Sequence, residues 1–442
     1  MSKTRADILK EAEERNITSV RLQFADIFGI VKNMTVPASQ LERALDGELM
    51  FDGSSIDGFV RVEESDMYFR PDYSTFTVLP WLGREGTVAR LICDVSKSDG
   101  TPFVGCPRHN LKRILNEAEK MNYHIKTATE SEFFFFLSDE HNRPKVVSHD
   151  EAGYFDLDLA DKGADARREI MQVLGQMGYE VEASHHEVAV GQHEITFKYA
   201  DALTTADATL TFKWVVKAVA KKNGLHATFM PKPFAGKSGS GMHTNQSLFK
   251  GETNIFYDEK DPFQLSGEAY HYIAGLLKNA RSFSAVTNPL VNSYKRLVPG
   301  YEAPVYISWS AANRSALIRI PVQRGLATRI ELRCPDPAAN PYLAFAAMIK
   351  AGMQGIINQT PCPRPIEENI YEMSATQKRR SGVGNLPRDL GEAVDLLKKS
   401  RLMREALGEH IYSQYIKAKE KEWERYCRAV HQWEYDAYLA KY

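Results

Sequence analysis

The chain has 442 residues, 43% of them hydrophobic and 26% charged, with a formal net charge of −1. That length is more than one hydrophobic core serves, so two or more domains are expected. The near-zero charge gives no field to recruit nucleic acid directly or an anionic membrane. No apolar run approaches the roughly 20 residues of a membrane span, and the opening MSKTRADILKEAEERN reads as a surface helix rather than a signal peptide. Five scattered cysteines, with no CxxC, point to reduced thiols and a cytoplasmic location.

After the opening helix, residues 18–24 (TSVRLQF) and 30–36 read as strands across a turn at Gly29. A short helix over 38–45 and a Gly-rich loop precede strands at 75–79 and 87–95. Together they predict a small mixed sheet crossed by a helix over about the first hundred residues. Residues 96–108 (SKSDGTPFVGCPR) concentrate turn formers and two prolines, and the domain boundary is placed there. Beyond it the pattern is α+β. Leu111, Ile114, Leu115 and Ala118 give residues 110–121 helical spacing. Strands alternate with helices at 164–177 and 206–222, residues 341–357 form a strongly apolar buried helix, and two helical segments from residue 393 end in an aromatic tail.

The chemistry lies in four short stretches: ATESEFFFFL (128–137), EVAVGQHE (187–194), GSGMHTNQS (239–247) and RIELR (329–333). Strand side chains alternate faces, so Glu130 and Glu132 share one face while Phe133 and Phe135 take the other. By the same rule His243, Asn245 and Ser247 share a face, as do Arg329, Glu331 and Arg333. A tight turn at Val190-Gly191 would set Glu187 directly opposite Glu194, a like-charge pair that needs a cation between its members; Val is a poor residue for a primed turn, and a longer loop is the alternative. Carboxylates on strands built otherwise of Phe, Ile, Val and Leu should face a core, where an unpaired charge costs roughly several kcal/mol. Five carboxylates and one histidine suit Mg²⁺ or Mn²⁺ rather than a thiolate zinc site. The nearby arginines Arg296, Arg314, Arg319, Arg329 and Arg333 suit phosphate or carboxylate recognition, and metals with arginine clamps are the equipment of phosphoryl transfer.

These stretches belong to a larger resemblance. KPFAGKSGSGMHTNQS (232–247) resembles the ATP-region signature of the glutamine synthetases, and FDGSS (51–55) their amino-terminal signature. NSYKRLVPGYEAP (292–304) and RIELRCPDPAANPYLAF (329–345) look like their substrate-binding blocks. The match runs essentially end to end, in order, and is specific to the bacterial type I enzymes. It implies an α+β fold, with a small N-terminal β-grasp-like domain (1–104) and a large catalytic domain (105–442) whose curved antiparallel sheet is flanked by helices. It further implies ATP-dependent ligation of ammonium to L-glutamate through a γ-glutamyl phosphate, with ATP as co-substrate and two or more Mg²⁺ (or Mn²⁺) ions per site.

Carried over by motif, Glu132, Glu187 and Glu194 would hold the metal near substrate, and Glu130, His243 and Glu331 the metal that bridges ATP phosphates. Glu182, Asn245, Ser247, Arg314 and Arg329 match nucleotide contacts. Ser238, Gly239, Arg296, Glu302, Arg314 and Arg333 match the glutamate site, with Ser238 standing where the family usually has Asn. Arg314 and Arg319 would neutralise the transferring phosphoryl group. Glu302 matches a flap glutamate. Asp52 matches the residue that binds ammonium and takes its proton, although Asp-Gly-Ser-Ser is also good turn chemistry. In the family it comes from a neighbouring subunit, so active sites between subunits of a dodecamer of two stacked hexamers are implied.

Arg61 matches a position tied to glutamine feedback in the smaller, unadenylylated branch. Residues 374–389 contain no tyrosine, so adenylylation control is not expected. The tail WERYCRAVHQWEYDAYLAKY would insert into the opposite ring or, in the bland alternative, pack on its own subunit. Relatives in this branch sequester nitrogen-responsive transcription regulators when glutamine-bound, and the resemblance implies such regulators as partners here. Two other functions compete: ligation of glutamate to a larger amine, and a catalytically silent binding protein.

Overall fold

The computed structural model describes residues 3–442 apart from 57, 60–65, 83–85, 142, 158, 160 and 314. Arg61 and Arg314 therefore lie outside the described residues.

The first hundred residues run α1 (Arg5–Glu14), β1 (Ile17–Ala25), β2 (Val31–Pro37), α2 (Leu41–Leu45), β3 (Met50–Asp52), β4 (Asp66–Val78) and β5 (Thr87–Lys97). They form one five-stranded sheet in the order β2-β1-β5-β4-β3. The β1–β5 pair is parallel and the others antiparallel. Ile8 and Ala12 of α1 and Leu41, Ala44 and Leu45 of α2 cover one face with Val20, Leu22, Phe69 and Leu91. The predicted mixed sheet crossed by a helix is present, with β4 longer than the sequence suggested.

The larger part begins with α3 (Pro107–Glu119), started by a proline at its first turn. There follow β6 (His124–Ser138), β7 (Pro144–Ser148), α4 (Ala164–Gln176), β8 (Val181–His186), β9 (Gln192–Phe197), β10 (Ala200–Asp201), α5 (Ala202–Lys222) and β11 (Leu225–Thr228). The chain continues through β12 (Met242–Lys250), β13 (Thr253–Asn254), α6 (Gly267–Thr287), α7 (Ser293–Arg296), β14 (Tyr306–Ser310), β15 (Ala316–Arg319), β16 (Ile330–Leu332) and α8 (Pro341–Ile357). It closes with α9 (Ala375–Arg380), β17 (Gly384–Asn385), α10 (Leu390–Lys398), α11 (Arg401–Leu407), α12 (Glu409–Arg428) and α13 (Gln432–Tyr438). The end of the chain thus holds four helices from residue 390 rather than two. Helix α6 was not foreseen, although Ala269, Tyr272, Ile273, Leu276, Ala280 and Phe283 recur at helical spacing and are all buried.

The second sheet runs β17-β14-β15-β16-β12-β6-β9-β8, with β7, β10 and β11 also on β6 and β13 on β12. It is antiparallel except for the β14–β15 pair. Phe133 and Phe135 of β6 pack against α4 and α5 through Ile170, Leu174, Phe212 and Val216. Helix α8 is capped by Asn340, whose Oδ1 accepts from the Tyr342 N–H at 3.0 Å. It crosses α6 at Gly275 and Gly355, where a Cβ on Gly355 would stand 2.0 Å from the His271 carbonyl. No helix among the described residues is long and apolar enough to cross a membrane.

A buried guanidinium ties the two sheets together. Arg108 of α3 donates to Asp207 of α5 at 2.8 and 2.9 Å and to Asp72 of β4 at 2.8 Å, with Asp94 of β5 at 3.4 Å. The Tyr342 hydroxyl donates to Asp207 at 2.6 Å, and Lys112 pairs with Asp94. Asn340 also donates to the Asp26 carbonyl at 3.0 Å, so α8 grips the small sheet as well. Burial pushes the Asp72 carboxyl up, but the Ser74 hydroxyl and the charge of Arg108 outweigh it and bring its pKa to about 2. Removing Arg108 would strand buried carboxylates, so Arg108→Met should cost about 3–5 kcal/mol of stability, read as a lower thermal midpoint. The depressed pKa of Asp72 stabilises the fold above its unfolded value of about 4, and that contribution fades as the pH falls towards the folded value. The wild-type midpoint should therefore drop more steeply through that acid range than that of the variant.

Candidate active site

Strand register assembles the acidic side chains on one face of the large sheet. Glu132 of β6 pairs directly with Glu194 of β9, which pairs with His185 of β8. Two residues along β6, Glu130 pairs with His243 of β12. Asn245 then pairs with Glu331 of β16, and Glu331 with Arg319 of β15. Residues directly opposite in a ladder share a face, so these three rows converge.

The pairing corrects one expectation. The β8–β9 hairpin matches His186 with His193 and Glu187 with Gln192, whose carbonyl accepts from the Glu187 N–H at 2.8 Å. Its tip spans residues 188–191, with the Gln192 N–H donating to the Ala189 carbonyl at 3.0 Å, so Glu187 is not opposite Glu194. The like-charge pair across the ladder is Glu132–Glu194. A turn centred on Val190-Gly191 would have asked Val to adopt a primed-turn conformation it resists; the longer loop avoids this, leaving only Gly191 in the left-handed region, at φ 68°.

Two groups of donor atoms result. Glu130, His243 and Glu331 each offer an atom within 4.8 Å of the other two, as do His185, Glu187 and Glu194. Glu132 adjoins the second group, its Oε2 accepting from Gln192 Nε2 at 2.6 Å and from the Gly241 N–H at 3.0 Å. Burial, then repulsion from Glu187 and Glu194, raises the pKa of Glu132 well above the carboxylate range. Burial and Glu194 raise that of Glu187 as well. Burial lowers the pKa of His185, but its bond to Glu194 at 3.3 Å outweighs it and the net shift is upward. Negative charge here lacks a sufficient counter-charge, and an all-oxygen-and-imidazole donor set suits a hard divalent cation. The residues present therefore fit Mg²⁺ or Mn²⁺.

The other group is better compensated. Burial pushes the Glu130 carboxyl up, but His243 at 3.4 Å, Asn245 at 2.8 Å and the charge of Arg319 hold its pKa at about 2. Both oxygens of Glu331 are engaged by arginines, Oε2 by Arg319 at 2.5 Å and Oε1 by Arg333 at 3.1 Å. Arg333 Nη1 is buried without a hydrogen-bond partner among the described residues, and so has capacity for an anion.

The remaining expected residues fall in three places. Glu182, Asn245, Ser247 and Arg329 line one cavity of about 330 Å³ together with Glu130 and Phe249. Within it Arg329 Nε donates to Asn245 at 3.1 Å and the Ser247 hydroxyl to the Thr328 carbonyl at 3.0 Å. Ser238 and Gly239 lie on the loop into β12, where a Cβ on Gly239 would stand 2.2 Å from the Pro231 carbonyl. Arg296 is fully buried, its guanidinium donating to the carbonyls of Arg333 at 3.1 Å and Cys334 at 2.8 Å. Glu302 is exposed at φ 59°. Asp52 stands apart on β3, the edge of the other sheet, where its Oδ1 accepts from the Ser54 N–H and hydroxyl at 2.8 and 2.7 Å.

Sequence reasoning missed His185 and Gln192, which contact the acidic residues although both lie within or beside EVAVGQHE. It also missed the buried support behind the hairpin. There Arg167 Nη1 stands 2.6 Å from Asp161 and 2.8 Å from His193 Nδ1, while Asp150 is flanked by His149 at 2.8 Å and His186 at 3.3 Å. The guanidinium already supplies the counter-charge to that group.

Comparison with known proteins agrees with this architecture. Residues 104–438 match the family model "Glutamine synthetase, catalytic domain", and residues 16–98 match "Glutamine synthetase, beta-Grasp domain". The glutamine synthetase of Thermus thermophilus is 56% identical over 100% of both chains, and that of Clostridium saccharobutylicum 55% over 99% of both. Among solved structures, a GmaS/ADP complex is similar at a TM-score of 0.89 and 32% identity, covering 100% of both chains. Plasmodium falciparum glutamine synthetase is similar at a TM-score of 0.87 and 27% identity, covering 99% of both. With both domains matched along its length, the chain belongs to the glutamine synthetase family.

Proposed function

We propose that this enzyme ligates ammonium to L-glutamate, with ATP converting the γ-carboxylate into a γ-glutamyl phosphate that ammonia then displaces. The observation that carries the reading is the single sheet face on which Glu130 of β6 belongs to one donor group and Glu132 adjoins the other, with a nucleotide-sized cavity on the Glu130 side. A carboxylate does not accept ammonia until its oxygen becomes a leaving group, and phosphorylation makes it one. Glu130, His243 and Glu331 would hold one divalent ion and Glu132, Glu187 and Glu194 another; when bound, these ions neutralise phosphate charge and align the transfer.

The chain's own residues supply the rest. Arg329, Ser247, Asn245 and Glu182 would line the nucleotide. Arg319, Arg333 and Arg314 would bind and neutralise the anionic groups between which the phosphoryl passes. Ser238 and Gly239 would present the glutamate loop, and Arg296 holds the backbone of residues 333–335 that carries Arg333 to it. Glu302 would close over the acyl phosphate and exclude water. Asp52, on the edge strand of the other sheet, would complete the site of an adjacent copy by orienting ammonium and taking its proton.

That placement of Asp52 favours active sites between subunits, and so an oligomer. The tail supports it too: on and beyond α13, Trp433, Tyr435, Tyr438, Leu439 and Tyr442 are exposed, an apolar surface that calls for a partner. We infer a dodecamer of two stacked rings, a cytoplasmic enzyme, and a domain boundary at residues 104–105. Glutamine feedback through Arg61, absence of adenylylation, and binding of nitrogen-responsive regulators belong to the same reading.

The deciding assay is phosphate release from ATP and L-glutamate with Mg²⁺, with and without ammonium, and identification of the product. Ammonium-dependent release yielding glutamine is expected; release that responds only to larger amines would replace the reading with ligation of another amine. Glu331→Ala should lower activity by more than about a hundredfold, since even second-layer partners of a metal reach that loss, and leave the assembly's elution volume unchanged. Deleting residues 433–442 should split the rings on a sizing column; an unchanged elution volume would mean the tail does not join them.

A further inference from the structure

The loop that enters β12 meets the segment that carries Glu302 where Lys232 reaches Tyr301. Lys232 Nζ stands 3.8 Å from the centroid of the Tyr301 ring, close for a cation on an aromatic face. The same ammonium donates to the carbonyl of Lys237, on the other arm of its own loop. Its backbone is held from below: the Lys232 N–H donates to Asn292 Oδ1 at 2.7 Å, and its carbonyl accepts from Asn292 Nδ2 at 3.0 Å. The stem lies against Gly239, where an added Cβ would stand 3.2 Å from Lys232 Cδ. Lys232 is 8% exposed and therefore a fixed post rather than a free surface lysine.

Tyr301 begins a tight turn. The Ala303 N–H donates to the Tyr301 carbonyl at 2.7 Å, and Glu302 between them has φ 59°. A three-residue turn with a non-glycine residue in the left-handed region is strained and persists only where its surroundings hold it. Among the described contacts, Lys232 beneath Tyr301 holds one side, and Tyr371, whose hydroxyl donates to the Ala303 carbonyl at 3.0 Å, the other.

We propose that Lys232 is a positioning residue that latches the Glu302 turn, through the Tyr301 ring, onto the loop carrying Ser238 and Gly239. The latch keeps the acyl phosphate from side reactions until ammonia arrives. This rests on the reaction proposed above. If the turn lifts, two losses open. Water can attack the γ-carbonyl, breaking the carbon–oxygen bond to phosphate and returning glutamate. Alternatively the intermediate's own α-amine attacks the same carbon: a carbon–nitrogen bond forms, phosphate leaves with the electron pair of the broken carbon–oxygen bond, and the amine gives a proton to solvent, yielding 5-oxoproline.

The test compares Lys232→Met, Lys232→Arg, Tyr301→Leu and Tyr301→Phe in the full-length enzyme at saturating ammonium. The readout is phosphate released in excess of glutamine, divided by glutamine formed, with 5-oxoproline quantified separately to divide cyclisation from hydrolysis. Lys232→Met and Tyr301→Leu should each raise that ratio about tenfold, the scale of a desolvated cation–ring contact. Lys232→Arg and Tyr301→Phe, which keep the cation and the ring face, should stay within about threefold of wild type. The double variant Lys232→Met/Tyr301→Leu should be no leakier than either single one, because the two act as one contact. An unchanged ratio in Lys232→Met and Tyr301→Leu, with only kcat reduced, would overturn the latch and leave Lys232 a structural residue. If Lys232→Met does not fold, the Tyr301 pair decides alone. A wild-type enzyme that makes no glutamine with ammonium would overturn the reaction and the latch together, a result distinct from an active wild type whose variants do not leak.

Discussion

The structure depends on holding like charges face to face. Glu132 and Glu194 are directly paired across a ladder, with Glu187 beside them, on strands whose other faces are packed with Phe133, Phe135 and Ile195. Carboxylates so placed lose water and repel one another, which is why burial and mutual charge raise Glu132 and Glu187 together. A fold that accepts this arrangement has a use for the positive charge it attracts. At the other group arginines have taken part of that role, with Arg319 and Arg333 both on Glu331.

The scaffold around that face is correspondingly over-determined. Phe133 and Phe135 fix the back of β6 against α4 and α5, while Phe134 and Phe136 pack with Ala189 and Phe234 on the acidic side. Those last contacts hold the tip of the β8–β9 hairpin and the loop before β12, the two segments that flank Glu132. Behind the hairpin Arg167, Asp161, His193 and Asp150 form a buried ionic network, costly to desolvate and costly to break. The Arg108 clasp does the same between the two sheets, and thereby fixes where the edge strand carrying Asp52 stands relative to the large sheet. Rigid placement matters because a carboxylate displaced by an ångström no longer serves the same ion or substrate atom.

Much of this was legible in the chain. The alternation in ATESEFFFFL put Glu130 and Glu132 on one face, and that in RIELR and GMHTNQS put Glu331 and His243 on faces of their own; every one of those assignments agrees with the register. The small mixed sheet, the buried helix α8 and the α+β character followed from pattern and turn chemistry. The errors have physical causes. The hairpin was set two residues out of register because loop length, not side-chain pattern, decides which residues face each other. The missed helix α6 carries only Glu268, Lys278 and Arg281 as charges among long apolar stretches, the weak polar stripe of a helix buried over most of its surface. Four terminal helices were read as two because Ser400 and Gly408 break the apolar pattern only briefly.

By itself the sequence determined which residue types stand on which side of each strand, since alternation follows from backbone geometry alone, and its motifs identified the family. Only the tertiary structure decided which acid opposes which: Glu132 faces Glu194, His185 and Gln192 join them, and Arg319 reaches Glu331. It likewise decided that Arg108 spans two sheets and that Lys232 lies under Tyr301, 69 residues away by the difference of their numbers. Such pairings depend on register, loop length and the packing of segments far apart in the chain, and no local pattern encodes them.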